Sequence, residues 1–300
     1  MPQHGLVIII PTLNRRELLI NLLKTLRNST VIPEATYVVD SSDTFVELPR
    51  EFRTINLKHV NSSVKSAAYQ RNLAIEIILG EKLNFDFVAF LDDDIEIYPS
   101  YFEDLLRRFE TNLDYVGISG HAISHDSKNR NRERTLWSDF IGLTGEPGSI
   151  TKALVNVSPA GISEFSNVEW LIGCSMWRRV VIENFKFEND FKGQSLFEDV
   201  IFSYRAKSLG KIGFDPGVKF LHLLSTQERP SEKRHYQAWI TNRYRIFRYS
   251  LNEFSKLRFW NLNIIIFLNC LIKAPFSSKE RGKTAGIFLG IINLIILHRN

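Results

Sequence analysis

Phe87-Val88-Ala89-Phe90-Leu91-Asp92-Asp93-Asp94 runs five apolar residues straight into three carboxylates. A short continuous apolar run of this kind suits a strand buried on both faces of a parallel-type sheet. The pattern repeats upstream. Leu6 to Ile10 is apolar and stops at Pro11, and Tyr37 to Val39 stops at Asp40. Between them, Asn14 and Glu17 form a capping-box pattern, and Leu18, Leu19, Leu22, Leu23 and Leu26 share one helical face. Thr54 to Val60 offers a third strand and Ala67 to Leu79 a second helix. Strands alternating with helices predict an α/β fold with a mostly parallel sheet flanked by helices, whose ligands bind beyond the carboxyl ends of the strands. Asp40 and the Asp92–Asp94 run both lie at such ends.

Three hundred residues favour one large domain with an appendage over two equal domains. Hydrophobic residues make up 44% and charged residues 24%, an ordinary globular composition that excludes a disordered or collagen-like chain. A net charge of +5 and a pI near 9.1 favour anionic partners: phosphates, nucleic acid or an acidic membrane surface. The two cysteines, Cys174 and Cys270, sit in apolar stretches far apart, as expected of buried free thiols in a reducing compartment, and they offer no zinc spacing. No Lys or Arg precedes the apolar run within Met1 to Ile10, which therefore reads as a strand and not as a signal peptide.

Residues 121–167 are rich in Ser, Asn, Gly and charge and are expected to form a loop-rich insertion, a candidate lid. Order is expected again over Val168 to Trp177, in a helix from Glu198 to Leu209, in a strand from Val218 to Leu224 and in a helical segment from His235 to Phe254. Beyond that the composition changes to two apolar blocks, Phe259 to Ile272 and Ala285 to Leu297, giving expected domains of 1–254 and 255–300. Neither block has about 18 uninterrupted apolar residues, so a simple membrane-crossing helix is not expected. Six Lys or Arg against one Glu between Lys256 and Lys283 instead suit a helical segment attached peripherally to an anionic membrane surface, on its cytoplasmic face. The competing expectation is that these helices pack on the catalytic core.

Three adjacent carboxylates at a buried strand end repel one another, and desolvation raises that cost unless a cation compensates. Mg²⁺ or Mn²⁺ is the simplest such cation, because it takes one or two carboxylates while bridging substrate phosphates. The alternative is a solvated acidic turn at a helix N-terminus.

Several motifs, in order, resemble the family 2 glycosyltransferases. Ile8-Ile9-Ile10-Pro11-Thr12-Leu13-Asn14-Arg15 is similar to the family's opening strand and loop, and Val38-Val39-Asp40-Ser41-Ser42 to its base-recognition turn. Gln70-Arg71-Asn72 resembles its Arg-Asn pair, and Phe90 to Asp94 with Pro99 its metal motif. Trp170 to Met176 with Arg178-Arg179 resembles the acceptor-side segment, and Phe197-Glu198-Asp199 with Arg205 the catalytic acid pair and its helix. The likeness spans about residues 5–250, and it departs at Gly173-Cys174, where the family often has two glycines. It implies an A-type nucleotide-binding fold and an inverting transfer of sugar from a nucleoside-diphosphate-sugar to an acceptor hydroxyl, in polysaccharide or glycolipid synthesis.

On this resemblance Pro11, Thr12, Asn14, Arg15, Asp40, Arg71, Asn72, Asp92 and Asp93 are the nucleotide-binding residues. Asp40 would accept the imide N–H of a pyrimidine, and Arg71 would present a donor fork to the diphosphate. Asp94 would contact the metal directly, with His222 as the remaining ligand. Asp199 would be the general base, kept ionised by the dipole of the helix it begins, with Glu198 orienting it. Trp170 and Gly173 would face a glycan or lipid-linked acceptor, although a tryptophan beside Leu171 and Ile172 also suits a core. Arg243, Arg245 and Arg248 alternate with aromatics, a pattern that suits nucleic acid but is better matched by an amphipathic helix with a basic face, so no nucleic-acid partner is expected. A nucleotide-sugar-forming nucleotidyltransferase is the competing enzyme, disfavoured because Pro11 to Arg15 stands where such enzymes place a glycine-rich loop; a non-enzymatic nucleotide- or glycan-binding module would not require Asp199.

Overall fold

The computed structural model describes residues 5–123, 135–191, 195–223, 231–250 and 252–297. The chain divides into two compact units, residues 1–130 with 159–227 and residues 131–158 with 228–300. The sequence boundary at 254/255 therefore falls inside the second unit.

The first unit is built on one sheet. β1 (Leu6–Thr12) leads to α1 (Arg16–Arg27), β2 (Ala35–Asp40), β3 (Leu57–Asn61) and α2 (Ala67–Gly80). β4 (Phe87–Phe90), β5 (Ile95–Ile97), α3 (Tyr101–Thr111) and β6 (Tyr115–Ile123) follow. After the excursion into the second unit, which contains α4 (Leu136–Phe140), come β7 (Ser166–Asn167), β8 (Ser175–Arg178), α5 (Arg179–Asn184), α6 (Glu198–Ala206) and β9 (Lys211–His222). The strand order is β3-β2-β1-β4-β8-β6-β9-β5, with β7 paired to β9. β3, β2, β1 and β4 are parallel, as expected. In the other half β6 and β9 pair in parallel and run the same way, while β8 runs antiparallel between β4 and β6, and β5 and β7 run antiparallel to β9. Six of the nine strands share one direction, so the sheet is mostly parallel with three antiparallel strands.

Alternation decides the packing. Leu6, Ile8 and Ile10 of β1, with Val38, Phe87 and Ala89, point to one face, where Leu19, Leu22, Leu23 and Leu26 of α1 and Phe102, Leu105 and Phe109 of α3 close a continuous core. β1 and β2 are buried along their whole length, which explains why they read as unbroken apolar runs. The capping box expected at Asn14 does not form; α1 is flanked by Arg15 with no side-chain cap, and Asn14 takes a positive φ of 54°. Its side chain is spent elsewhere. Asn14 Nδ2 donates to Asp43 Oδ2 at 2.9 Å, while Asp43 N donates back to Asn14 Oδ1 at 3.0 Å, clipping the loop after β1 to the loop after β2.

The second unit is helical: α7 (Glu232–Tyr244), α8 (Lys256–Lys273) and α9 (Ser278–Leu297), with residues 135–158 packed among them. Ala153 and Val155 form a core with Leu262, supported by Ile141, Leu143, Trp239 and Ile266. Residues 135–158 of the expected lid are thus a structural element of this unit, residues 121–123 and 159–167 belong to the first unit, where they include the end of β6 and β7, and residues 124–134 lie outside the described residues. Arg243 is fully buried, with its guanidinium carbon 3.6 Å from the Trp239 ring centroid and Nη2 donating to Ala153 O at 3.1 Å. It is a core residue, not part of a basic face.

α9 lies against α7 along Gly282, Gly286 and Gly290. A Cβ on Gly286 would come within 2.4 Å of Lys233 O, and one on Gly290 within 3.1 Å of Ile240 Cβ. Alanine in a helix interior ordinarily gains up to about 1 kcal/mol over glycine. Here Gly286→Ala is expected to destabilise by about 1–3 kcal/mol, since backbone must move to admit the methyl group. Gly80→Ala, where a Cβ meets nothing within 4 Å, serves as the control in the same denaturant titration, expected to leave stability unchanged or raised by up to about 1 kcal/mol.

Candidate active site

The carboxyl ends of β1, β2 and β4 bring the predicted residues together within the first unit. Asp40 ends β2 and is 7% exposed. Its Oδ1 accepts Ser42 N at 2.8 Å, and its Oδ2 lies 3.3 Å from His59 Nε2. Burial works to raise the Asp40 carboxyl, but the bonds from His59 and Ser42 outweigh it and hold it below the usual carboxylate value. A pocket lined by Thr12, Arg16, Leu19, Asp40, Ser42, Thr44 and Val46 opens beside it. His59 was not singled out from sequence; its signal was a histidine near the carboxyl end of a strand next to Asp40, and Phe45 stacks on its ring at 4.3 Å.

The three carboxylates after β4 have three different environments. Asp92 Oδ1 accepts Arg71 Nη2 at 2.7 Å. Asp93 accepts Thr12 Oγ1 at 2.7 Å and Arg15 Nη1 at 3.1 Å. Asp94 lies 3.4 Å from Arg15 Nη1 through Oδ2 and 3.2 Å from His222 Nε2 through Oδ1. The protein's own cations therefore already offset much of the repulsion that made a divalent ion look necessary from sequence. Burial pushes Asp93 up to about 6, with Thr12 and Arg15 acting against it. Burial acts on Asp94 in the same sense, but His222 and Arg15 overcome it and keep this carboxyl below its ordinary value.

Tertiary pairing puts His222 there. β5 and β9 are antiparallel with Ile95 opposite His222, and Leu223 N donates to Asp94 O at 2.9 Å. Among the described residues no group of three or more His, Cys, Asp or Glu side chains is arranged to hold a metal. What exists is one carboxylate and one imidazole, a donor pair that fits Mg²⁺ or Mn²⁺ only if substrate and water complete the shell.

Arg71 and Asn72 are used differently from the expectation. Arg71 is 2% exposed, and its guanidinium is shared between Asp92 and Glu198, so it links the carboxylate run to the start of α6 and presents no free fork. Asn72 is engaged by the segment before α6: Nδ2 donates to Phe187 O and Asn189 Oδ1, each at 2.7 Å, and Oδ1 accepts Phe187 N at 2.9 Å. Asn72→Ala is therefore expected to cost about 1–3 kcal/mol in a denaturant titration by leaving buried backbone groups unpaired, with donor affinity unchanged. Pro11 is likewise buried inside β1, opposite Val39.

Glu198 and Asp199 open α6 behind Phe197, whose φ is 77°. Glu198 is fixed by Arg71, with its Oε2 buried and without a hydrogen-bond partner. Asp199 is half-buried and its Oδ1 accepts Val200 N at 2.8 Å. Burial dominates over the favourable helix start and pushes the Asp199 carboxyl up to about 6, a correction to the expectation of a firmly ionised group. A small pocket lies against it, bordered by Arg71, Leu171, Ile172, Gly173 and Ser203 among others. A Cβ on Gly173 would meet Asp92 Oδ2 at 3.1 Å and Arg71 Nη2 at 3.4 Å, which accounts for glycine there. Trp170 is 8% exposed and does not border this pocket, so packing, not sugar stacking, describes it. Cys174 and Cys270 are both free and buried.

Residues 7–171 match the family model for glycosyl transferase family 2, and the chain belongs to that family. Over 177 residues it is 27% identical to a chondroitin synthase of Escherichia coli, an alignment covering 56% of this chain and 24% of that one. The chain thus spans about a quarter of the length of this curated relative. Among solved structures it resembles S. aureus TarS, with a TM-score of 0.54 at 16% identity over 91% of this chain and 44% of that chain. A mannosyltransferase from Pyrobaculum calidifontis, in complex with GDP-Man and Mn²⁺, gives a TM-score of 0.55 at 13% identity over 97% and 86%. Residues 1–349 of TarS, in complex with UDP-GlcNAc, give 0.53 at 13% identity over 99% and 92%. These likenesses establish the A-type glycosyltransferase fold.

Proposed function

We propose that the first unit transfers a sugar from a nucleoside-diphosphate-sugar to an acceptor hydroxyl by direct displacement with inversion. The observation that carries this reading is the convergence, at the strand ends, of the Asp40 pocket, the Asp94–His222 pair and the Arg71-braced start of α6 bearing Asp199. The nucleotide-sugar complexes of the structural neighbours support the donor class. The base sits at Asp40 and Thr12, with Arg15, Asp92 and Asp93 toward the ribose and diphosphate. Asp94 and His222 would hold Mg²⁺ or Mn²⁺, which when bound neutralises charge on the departing diphosphate.

Asp199 takes the proton of the acceptor hydroxyl as its oxygen bonds to the anomeric carbon and the bond to the diphosphate breaks. A carboxyl near 6 is well matched to accepting a proton near neutral pH. Glu198, tied to Arg71, positions the helix start and does not itself receive the proton. The curated relative's name and the apolar, basic C-terminal helices support a glycan or lipid-linked acceptor and peripheral attachment to the cytoplasmic membrane face. Slow hydrolysis of a panel of nucleoside-diphosphate-sugars with Mn²⁺ or Mg²⁺ tests the proposal without knowledge of the acceptor. One donor should be cleaved well above the others; a panel left intact, with no nucleoside diphosphate bound, rejects it.

A further inference from the structure

We propose that α8 and α9 lie flat on an anionic lipid surface, with the outward stripe of α8 and the adjoining face of α9 inserted among the headgroups and upper acyl chains. This rests on the membrane attachment proposed above and gives it a face, an orientation and a lipid charge.

Leu257, Ile264, Leu268, Leu271 and Ile272 are 47–73% exposed. At the angular step of a regular helix they fall within an arc of about 100°. The opposite side of α8 carries Phe259, Leu262 and Cys270, which are 0–6% exposed. The stripe continues to Phe276, 90% exposed just past the helix end. α9 extends the surface: Phe288 stacks on Phe267 of α8 at 6.3 Å, and Phe288, Ile295 and Ile296 are 48–55% exposed. A soluble helix with one apolar side normally turns that side inward; α8 has apolar residues on both.

Charge selects the occupant. Lys256 and Arg258 stand at one end of the stripe and Lys273, Lys279 and Arg281 at the other, all exposed. Glu280, the sole acid in residues 255–300 of the sequence, is paired with Lys283 at 2.6 Å. A second copy docking on the same face by two-fold symmetry would bring these cations against each other. An anionic leaflet neutralises them, and joint basic and apolar signals are what stable interfacial binding requires.

Lys256–Phe276 is long and apolar enough to cross a membrane by length and composition, unlike the sequence expectation. Its inner side argues for lying flat. Phe259 packs 5.0 Å from the buried Arg243 guanidinium, and the buried Asn263 donates to Phe259 O at 2.7 Å. A helix carrying an arginine and a protein core on its back cannot be drawn into hydrocarbon without dragging them along.

Flotation of the full-length protein with phosphatidylcholine vesicles, with and without phosphatidylglycerol, is the test. The protein should float only with the anionic lipid. Leu268→Glu/Ile272→Glu alters exposed positions, so melting temperature and donor hydrolysis should be retained while the floated fraction falls on the order of tenfold or more. Wild-type protein that stays at the bottom overturns membrane attachment as a whole. Wild type and the double variant floating equally leaves attachment standing and overturns this face. A dye on Ile264→Cys should be quenched more by a shallow spin-labelled lipid than by a deep one; the reverse order identifies a crossing helix and rejects the flat orientation.

Discussion

Asp199→Asn should lower the rate of sugar transfer by about 10² to 10⁴, with donor affinity retained. Asparagine preserves the shape of the side chain and its acceptance of the Val200 N–H, held now at 2.8 Å, but cannot take a proton from the acceptor. Local structure is thus kept while the chemistry is lost. In the wild type, log kcat/KM should rise with pH through about 6 and then level, because Asp199 acts only when ionised. The variant should lack that limb. Stability should move the opposite way. A carboxyl whose folded value is raised by burial favours the folded state most below its unfolded value near 3.8, and that advantage is lost as pH rises through about 6. Asp199→Asn should therefore not destabilise the protein at pH 8. A variant that transfers at the wild-type rate, or a product of retained anomeric configuration, would exclude this base and this displacement.

Asp94→Ala should abolish the metal stimulation of nucleoside-diphosphate binding and lower metal-dependent transfer by at least about 10². Its Oδ1 lies 3.2 Å from His222 Nε2, and removing the carboxylate leaves an imidazole alone to hold the ion. Calorimetric titration of the nucleoside diphosphate selected by the donor panel, in Mn²⁺ and in excess chelator, measures the effect. His222→Ala should weaken the metal dependence less, since a carboxylate and the diphosphate still offer oxygen ligands. Binding in chelator equal to that in Mn²⁺ would instead assign the diphosphate charge to Arg15, which already reaches both Asp93 and Asp94.

Local pattern carried the first half of the sheet. β1, β2 and β4 were legible because strands buried on both faces must be continuously apolar, and because each apolar run stops abruptly at a proline or a carboxylate, although β1 itself continues through Pro11 to Thr12. β6 was not seen, since Gly117, Ser119 and Gly120 interrupt its apolar run and only its pairing with β8 and β9 makes it a strand. The second half of the sheet is antiparallel in part for the same reason: partner and direction are set by long-range packing, not by periodicity.

The chemical inventory of the site, Asp40, the Asp92–Asp94 run, Glu198 and Asp199, was written in the sequence alone, as were the family and the apolar, basic character of the C-terminal segment. What each residue does with its hydrogen bonds was not. In one dimension Arg71 reads as a diphosphate donor and Arg243 as part of a basic face, yet one is enclosed by Asp92 and Glu198 and the other by Trp239 and Phe259. His222 meets Asp94 only through the β5–β9 register, and the protonation of Asp199 is governed by burial and not by its place in a helix. Residue identity supplies the groups that can react, but desolvation and pairing depend on which distant segments surround them, and those surroundings exist only once the chain is folded.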